Sequence, residues 1–128
     1  MKRILSLFFV LFIIISLFSC RNKSEYDKIV SQLKDGGYDI TSFYDEDMIA
    51  SVVENASATG LIFEGKITNI AHFAKSAYVT EWVYVYEFEK EDDAKLFYED
   101  YAKNWDYARR SGTAVVYGAS RFINNLDI

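Results

Sequence analysis

The stretch from Tyr78 to Phe88 constrains the fold of this chain more than any other part of it. It reads Tyr-Val-Thr-Glu-Trp-Val-Tyr-Val-Tyr-Glu-Phe, a run of β-branched and aromatic residues typical of a strand. Side chains of a strand alternate between its faces, so Tyr78, Thr80, Trp82, Tyr84, Tyr86 and Phe88 share one side. Val79, Glu81, Val83, Val85 and Glu87 take the other. Apolar groups on both faces place this strand in the middle of a sheet, covered on at least one side.

The segments around it complete the pattern. Ser24 is placed to cap a helix carrying Tyr26, Ile29, Val30 and Leu33 on one stripe, and Gly36-Gly37 ends it. Tyr38 to Phe43 alternates as a short strand. Asp45-Glu46-Asp47 opens a second helix with Met48, Ile49, Val52 and Val53, closed by Gly60. Leu61 to Ala71 reads as a strand interrupted at Gly65. The longest helix is expected from about Asp92 to Arg110, with Ala94, Phe97, Tyr98, Tyr101, Trp105 and Ala108 as its buried stripe. Arg109 and Arg110 would then suit its negative end, and Gly112 its stop. Thr113 to Tyr117 is a further strand, and Ala119, Phe122, Ile123 and Leu126 suggest a last short helix. The expected fold is α+β: a two-layer sandwich of about four mostly antiparallel strands, with two main helices on one face plus short helices.

Lys2 and Arg3 precede an almost wholly apolar run from Ile4 to Phe18, followed by Ser19 and the only cysteine, Cys20. A basic start, a short apolar region and a small residue before the cut describe a secretory signal. The run to Ser19 is sixteen residues, short of the about 20 that a transmembrane helix needs. Leu17-Phe18-Ser19-Cys20 resembles the lipobox of bacterial lipoproteins. That resemblance implies cleavage between Ser19 and Cys20, lipid such as palmitate on Cys20, and an extracytoplasmic protein held to the cell membrane or outer membrane. Arg21, in place of Asp, permits outer-membrane sorting in a bacterium with two membranes. Residues 91–99 (Glu-Asp-Asp-Ala-Lys-Leu-Phe-Tyr-Glu) and 115–118 (Val-Val-Tyr-Gly) further resemble small uncharacterised lipoproteins of α+β layout. That likeness implies a fold and an address, with no activity attached.

The division that follows is residues 1–19 as signal, 20–24 as lipidated cysteine and short tether, and 25–128 as a single α+β domain. Losing Lys2 and Arg3 with the signal takes the net charge from −5 to −7. So acidic a domain does not attract nucleic acid through bulk electrostatics. With Cys20 lipidated no thiol is left for disulfides, so the fold depends on its core, and aromatic residues make up 17% of the chain.

Candidates for chemistry are few. The acidic runs Asp45–Asp47 and Glu87–Asp93 lack the spacing of a calcium loop and sit where helices begin, so they read as helix caps. His72, the only histidine, has no spaced partner for a metal, and a dyad with Ser76 or Thr80 lacks an orienting group. Gly36-Gly37 follows a helix and so is not a phosphate loop. Lys103, Arg109 and Arg110 are too few for an anion-steering patch. No catalytic residue, metal ligand or cofactor emerges. If helices cover one face of the sheet, Trp82, Tyr84 and Tyr86 on the other form an aromatic docking face for an envelope protein or glycan. The expected function is a lipid-anchored, non-catalytic binding or interaction module of the cell envelope. The alternatives are an accessory subunit of an envelope membrane complex, and a small hydrolase gathering His72 with carboxylates.

Overall fold

The computed structural model describes residues 23–75 and 78–128. The signal, the cleavage site at Ser19 and the lipidation site at Cys20 lie outside the described residues. Among the described residues, no helix is long and apolar enough to cross a membrane.

Helix α1 spans Glu25–Asp35; the Ser24 hydroxyl accepts the Asp27 N–H at 3.2 Å and stabilises its first turn. Gly37, at φ +89°, turns the chain so that Tyr38 N–H donates back to the Leu33 carbonyl at 3.0 Å. Strand β1 (Asp39–Phe43) follows, then α2 (Glu46–Ala58), capped by the Asp45 carboxylate on Met48 N–H at 2.9 Å. The long hairpin of β2 (Ile67–Lys75) and β3 (Tyr78–Phe88) leads into α3 (Glu91–Asp100) and a single 3₁₀ turn, Ala102–Asn104. A second hairpin, β4 (Tyr107–Ser111) and β5 (Ala114–Gly118), turns at Gly112 with φ +56°, and a 3₁₀ segment, Arg121–Asn125, closes the chain. The five strands form one antiparallel sheet in the order β1-β2-β3-β5-β4.

The α+β class with an open antiparallel sheet is as expected, and β3 is its central strand. Two details differ. First, the main helices lie on opposite faces. Val83 and Val85 pack with Phe73, Val116 and the α1 residues Ile29 and Leu33. Tyr86, Phe88, Ile70 and Val115 pack with Ala94 and Phe97 of α3. The strand is apolar on both sides, and each side takes its own cover. Helix α2 adds only partial cover to the second face: Ile49, Val52 and Val53 are half-buried and none of its residues is buried.

Second, the expected long helix stops at Asp100, and residues 107–111 form a fifth strand. The three-to-four spacing of Tyr101, Trp105 and Ala108 is satisfied without a helix, because the hairpin to β5 supplies the backbone partners. Arg109 and Arg110 are therefore not at a helix terminus. Arg109 faces α1's side of the sheet and donates to the carbonyls of Leu126 at 2.6 Å and Ile128 at 3.1 Å, fastening the C-terminal segment. Arg110 faces the other side, reaching Glu91 at 3.3 Å.

Leu61 to Lys66 is loop, with the strand beginning only at Ile67. Asp93, in the first turn of α3, is 2% exposed, and its carboxylate accepts the N–H groups of Glu64 at 2.9 Å and Gly65 at 2.7 Å. A carboxylate at a helix start is thus also the anchor of a loop. Glu46 and Asp47 lie in the first turn of α2, and Glu91 and Asp92 in that of α3, as expected of caps. Glu87 does not: it belongs to β3, and its carboxylate accepts from the Thr68 hydroxyl at 2.8 Å and the Asn69 amide at 2.7 Å.

Candidate functional site, an aromatic cleft

Register builds the site. On the face away from α1, His72 of β2 pairs with Tyr84 of β3, and Tyr84 with Tyr117 of β5, so three rings stand abreast across three strands. Their centroids are 4.5 Å apart for His72 and Tyr84 and 5.6 Å for Tyr84 and Tyr117, the latter pair stacked at 20°. Trp82 stands one place further along β3 on the same side. Tyr101, just past the end of α3, and Trp105, after the 3₁₀ turn, lean over this row from above. The Trp105 ring lies 6.0 Å from Tyr117 at 25° and 5.0 Å from Trp82 at 86°. Together these six side chains line a cleft of about 340 Å³.

The stop of α3 at Asp100 makes the cleft. Were the helix to continue, Trp105 would pack inward as a core residue; instead it and Tyr101 are each 41% exposed. The end of the sheet holding Trp82 is thereby left partly open, whereas Tyr86 and Phe88 further along β3 are covered by Phe97. Trp82 and Tyr84 of the expected docking face thus line the cleft, and Tyr86 belongs to the core beside it, stacked on Phe97 at 4.6 Å. Tyr101, Trp105, Tyr117 and His72 are the members that sequence reasoning assigned elsewhere. The signal that could have located two of them is the Ser111-Gly112-Thr113 turn, which marks a hairpin and so a helix that ends early.

Gly118 lets two floor strands close up. A β-carbon there would stand 2.2 Å from the Trp82 carbonyl oxygen, so only glycine lets β5 approach β3 this closely. The Ala119 N–H then donates to that carbonyl at 3.0 Å and fixes the backbone of Trp82.

The walls carry no formal charge. Burial lowers the His72 pKa, which favours the neutral ring at pH 7, and its Nδ1 is engaged by the Thr41 hydroxyl. The dyad conceived from the sequence is thus displaced: Ser76 lies outside the described residues, Thr80 is exposed, and Thr41 is the hydroxyl at the ring. Burial also raises the pKa of Tyr84 and Tyr117, so their phenols stay protonated. The Tyr44 hydroxyl approaches that of Tyr84 at 3.3 Å, extending the cleft's hydroxyls toward the start of α2. Among the described residues, no three His, Cys, Asp or Glu side chains gather closely enough to hold a metal ion. What the arrangement offers is ring faces, phenol hydroxyls and a neutral imidazole.

Tyr101 also walls a second, adjoining hollow of about 320 Å³, with Val52 and Ala56 of α2, Leu61, Tyr86 and Phe97 around it. It too is lined without formal charge. Comparison with known proteins finds no matching family model, no matching curated protein and no matching solved structure.

Proposed function

We propose that this chain is a lipoprotein of the bacterial cell envelope, anchored through Cys20, and that its domain is a non-catalytic binding module acting through the aromatic cleft. The observation that carries this reading is the open end of the aromatic face, where Trp82, Tyr84, Tyr101 and Trp105 remain partly accessible although the other half of the same face is sealed. Tyrosine and tryptophan grouped at a surface concavity are the side chains through which binding energy is most often concentrated.

The position of the cleft agrees with an anchored role. Helix α1 begins directly after the tether, and its Glu25 carboxylate accepts the Ser111 hydroxyl at 2.9 Å, beside the β4–β5 turn. The cleft lies at the other end of β5, near Gly118, about 13 Å away at ~3.3 Å per residue, and on the opposite face. The cleft is therefore remote from Glu25, the first residue of α1.

The test has two arms. Metabolic labelling with palmitate and membrane fractionation should show the full chain lipidated and Cys20→Ala unlabelled and released. Mild cross-linking in cells should then capture a ligand that a folded Trp82→Ala/Tyr84→Ala variant loses. Labelling of Cys20→Ala refutes the anchor, and capture unaffected by the double variant refutes the cleft.

A further inference from the structure

The chemistry of the cleft walls narrows what they recognise. Resting on the reading of the cleft as a binding site, we propose that it takes a neutral oligosaccharide, with sugar rings lying against Trp82, Trp105 and Tyr101 and their hydroxyls meeting that of Tyr84 and the free ring nitrogen of His72.

Three features point to this class of ligand. The first is charge. The cleft and its neighbour across Tyr101 have uncharged walls, on a chain in which 26% of residues are charged. Other hollows on the described surface carry charges: Glu46, Glu54 and Lys66 between α2 and β2, and Lys95, Glu99, Arg109 and Arg110 beside α3. A ligand bearing carboxylate, phosphate or ammonium would lose its hydration in the aromatic cleft with no opposite charge in return. Nucleic-acid bases also stack on such rings, but their backbone needs a cationic groove that these walls lack.

The second is ring geometry. Trp82 and Trp105 meet at 86°, making a corner of one indole face and one indole edge. The electron-rich face of an indole attracts the slightly positive C–H groups that cover the flat side of a sugar ring. A volume of about 340 Å³ is at the scale of a small-molecule pocket and too small for the face of a protein helix.

The third is the backbone. The cleft floor is β3, paired on both sides by β2 and β5, so no free strand edge lies in it. An extended peptide would bring its own N–H and C=O groups to a floor with no backbone partner for them. Sugar hydroxyls find side-chain partners there instead, since phenols and a neutral imidazole both donate and accept.

The chain supplies its own probe. Trp82 and Trp105 are its two tryptophans, and both stand in the cleft, so the whole intrinsic tryptophan signal reports on this site. The experiment titrates the full chain in detergent with cellohexaose, maltohexaose and chitohexaose, following tryptophan emission, with an oligogalacturonate as the acidic comparator. The expected result is a saturable change with at least one neutral hexasaccharide and at least about tenfold weaker binding of the acidic one. Tyr101→Ala, which keeps both tryptophans and removes an exposed ring, should weaken that binding about tenfold, equivalent to ~1.4 kcal/mol. Silence with all three neutral sugars overturns the sugar assignment, as does saturable binding that Tyr101→Ala and Tyr84→Phe leave unchanged. If the sugars are silent but the cross-linked ligand is lost in Trp82→Ala/Tyr84→Ala, the binding module stands and its ligand is not a neutral glycan. If both fail, the cleft is not a binding site.

Discussion

Trp82 on the central strand and Trp105 in the loop after α3 meet edge to face, with ring centroids 5.0 Å apart at 86°. The contact joins two segments that the backbone does not pair, so it sets where the loop sits over the sheet. Both rings line the cleft.

Because Trp105 is 41% exposed, its truncation removes ring contacts without opening a deep cavity. Trp105→Ala should cost about 1–2 kcal/mol, against about 3–5 kcal/mol for a fully buried tryptophan. Urea denaturation with an unchanged slope gives the value. A loss above about 3 kcal/mol would return Trp105 to the core, where the helical spacing had put it.

Gly118→Ala places a β-carbon 2.2 Å from the Trp82 carbonyl oxygen and 3.0 Å from the Val83 α-carbon, both backbone atoms. Strand β5 must shift away from β3, and overpacking of this kind costs about 1–3 kcal/mol or more. Calorimetry should show the lower melting temperature, and the tryptophan emission of the native state should move with it. A melting temperature equal to that of the parent contradicts the close approach.

Asp93→Ala strips the partner from two backbone N–H groups at once, those of Glu64 and Gly65. Each unsatisfied donor costs about 1–3 kcal/mol, so a total loss of roughly 2–6 kcal/mol is expected, lessened where water reaches the loop. Asp93→Asn keeps one acceptor oxygen and should fall between. Ala and Asn variants as stable as the parent would mean the loop does not depend on this carboxylate.

Alkaline pH should unfold the domain in a definite window. Burial pushes the Tyr26 and Tyr86 phenols up to about 12 from the ordinary 10. Between these values the folded state holds protons that the unfolded state has released, so stability is intact below pH 10 and falls as pH rises toward 12. Linkage sets the loss at on the order of 2–3 kcal/mol per tyrosine. Tyrosinate absorbance followed with circular dichroism should show late-titrating phenols ionising together with loss of structure. Complete tyrosine ionisation by pH 10.5 with structure retained is the contrary result.

What could be read in advance divides along physical lines. The centrality of β3, the caps at Ser24 and Asp45 and the glycine exit of α1 are local or parity-based properties, and they follow from residue type and spacing alone. The stretch after Asp100 is different. Tyr101, Trp105 and Ala108 satisfy a helical period, and only the pairing of β4 with β5, a property of two segments together, decides against it. Two of the six cleft residues were lost with that choice, because Tyr101 and Trp105 are surface residues only if the helix ends. His72 was unreadable for a related reason: nothing in its neighbours along the chain places it abreast of Tyr84. The distribution of helices over both faces was implicit in β3's two apolar sides, although a one-sided cover satisfies the same alternation.

Helix α2 buries none of its side chains completely. Detaching it exposes only the shared flanks of Ile49, Val52, Val53 and Ala56, a small fraction of the apolar area that closes around Val83 and Val85 on the other side of the sheet. The free energy of that local opening therefore lies well below that of global unfolding. Amide protons of residues 46–58 should exchange with solvent through such openings long before those of β3. The hollow beside Tyr101 has this helix as one wall and Tyr86 of the central strand as another, so its two sides belong to parts of the fold that differ in local stability.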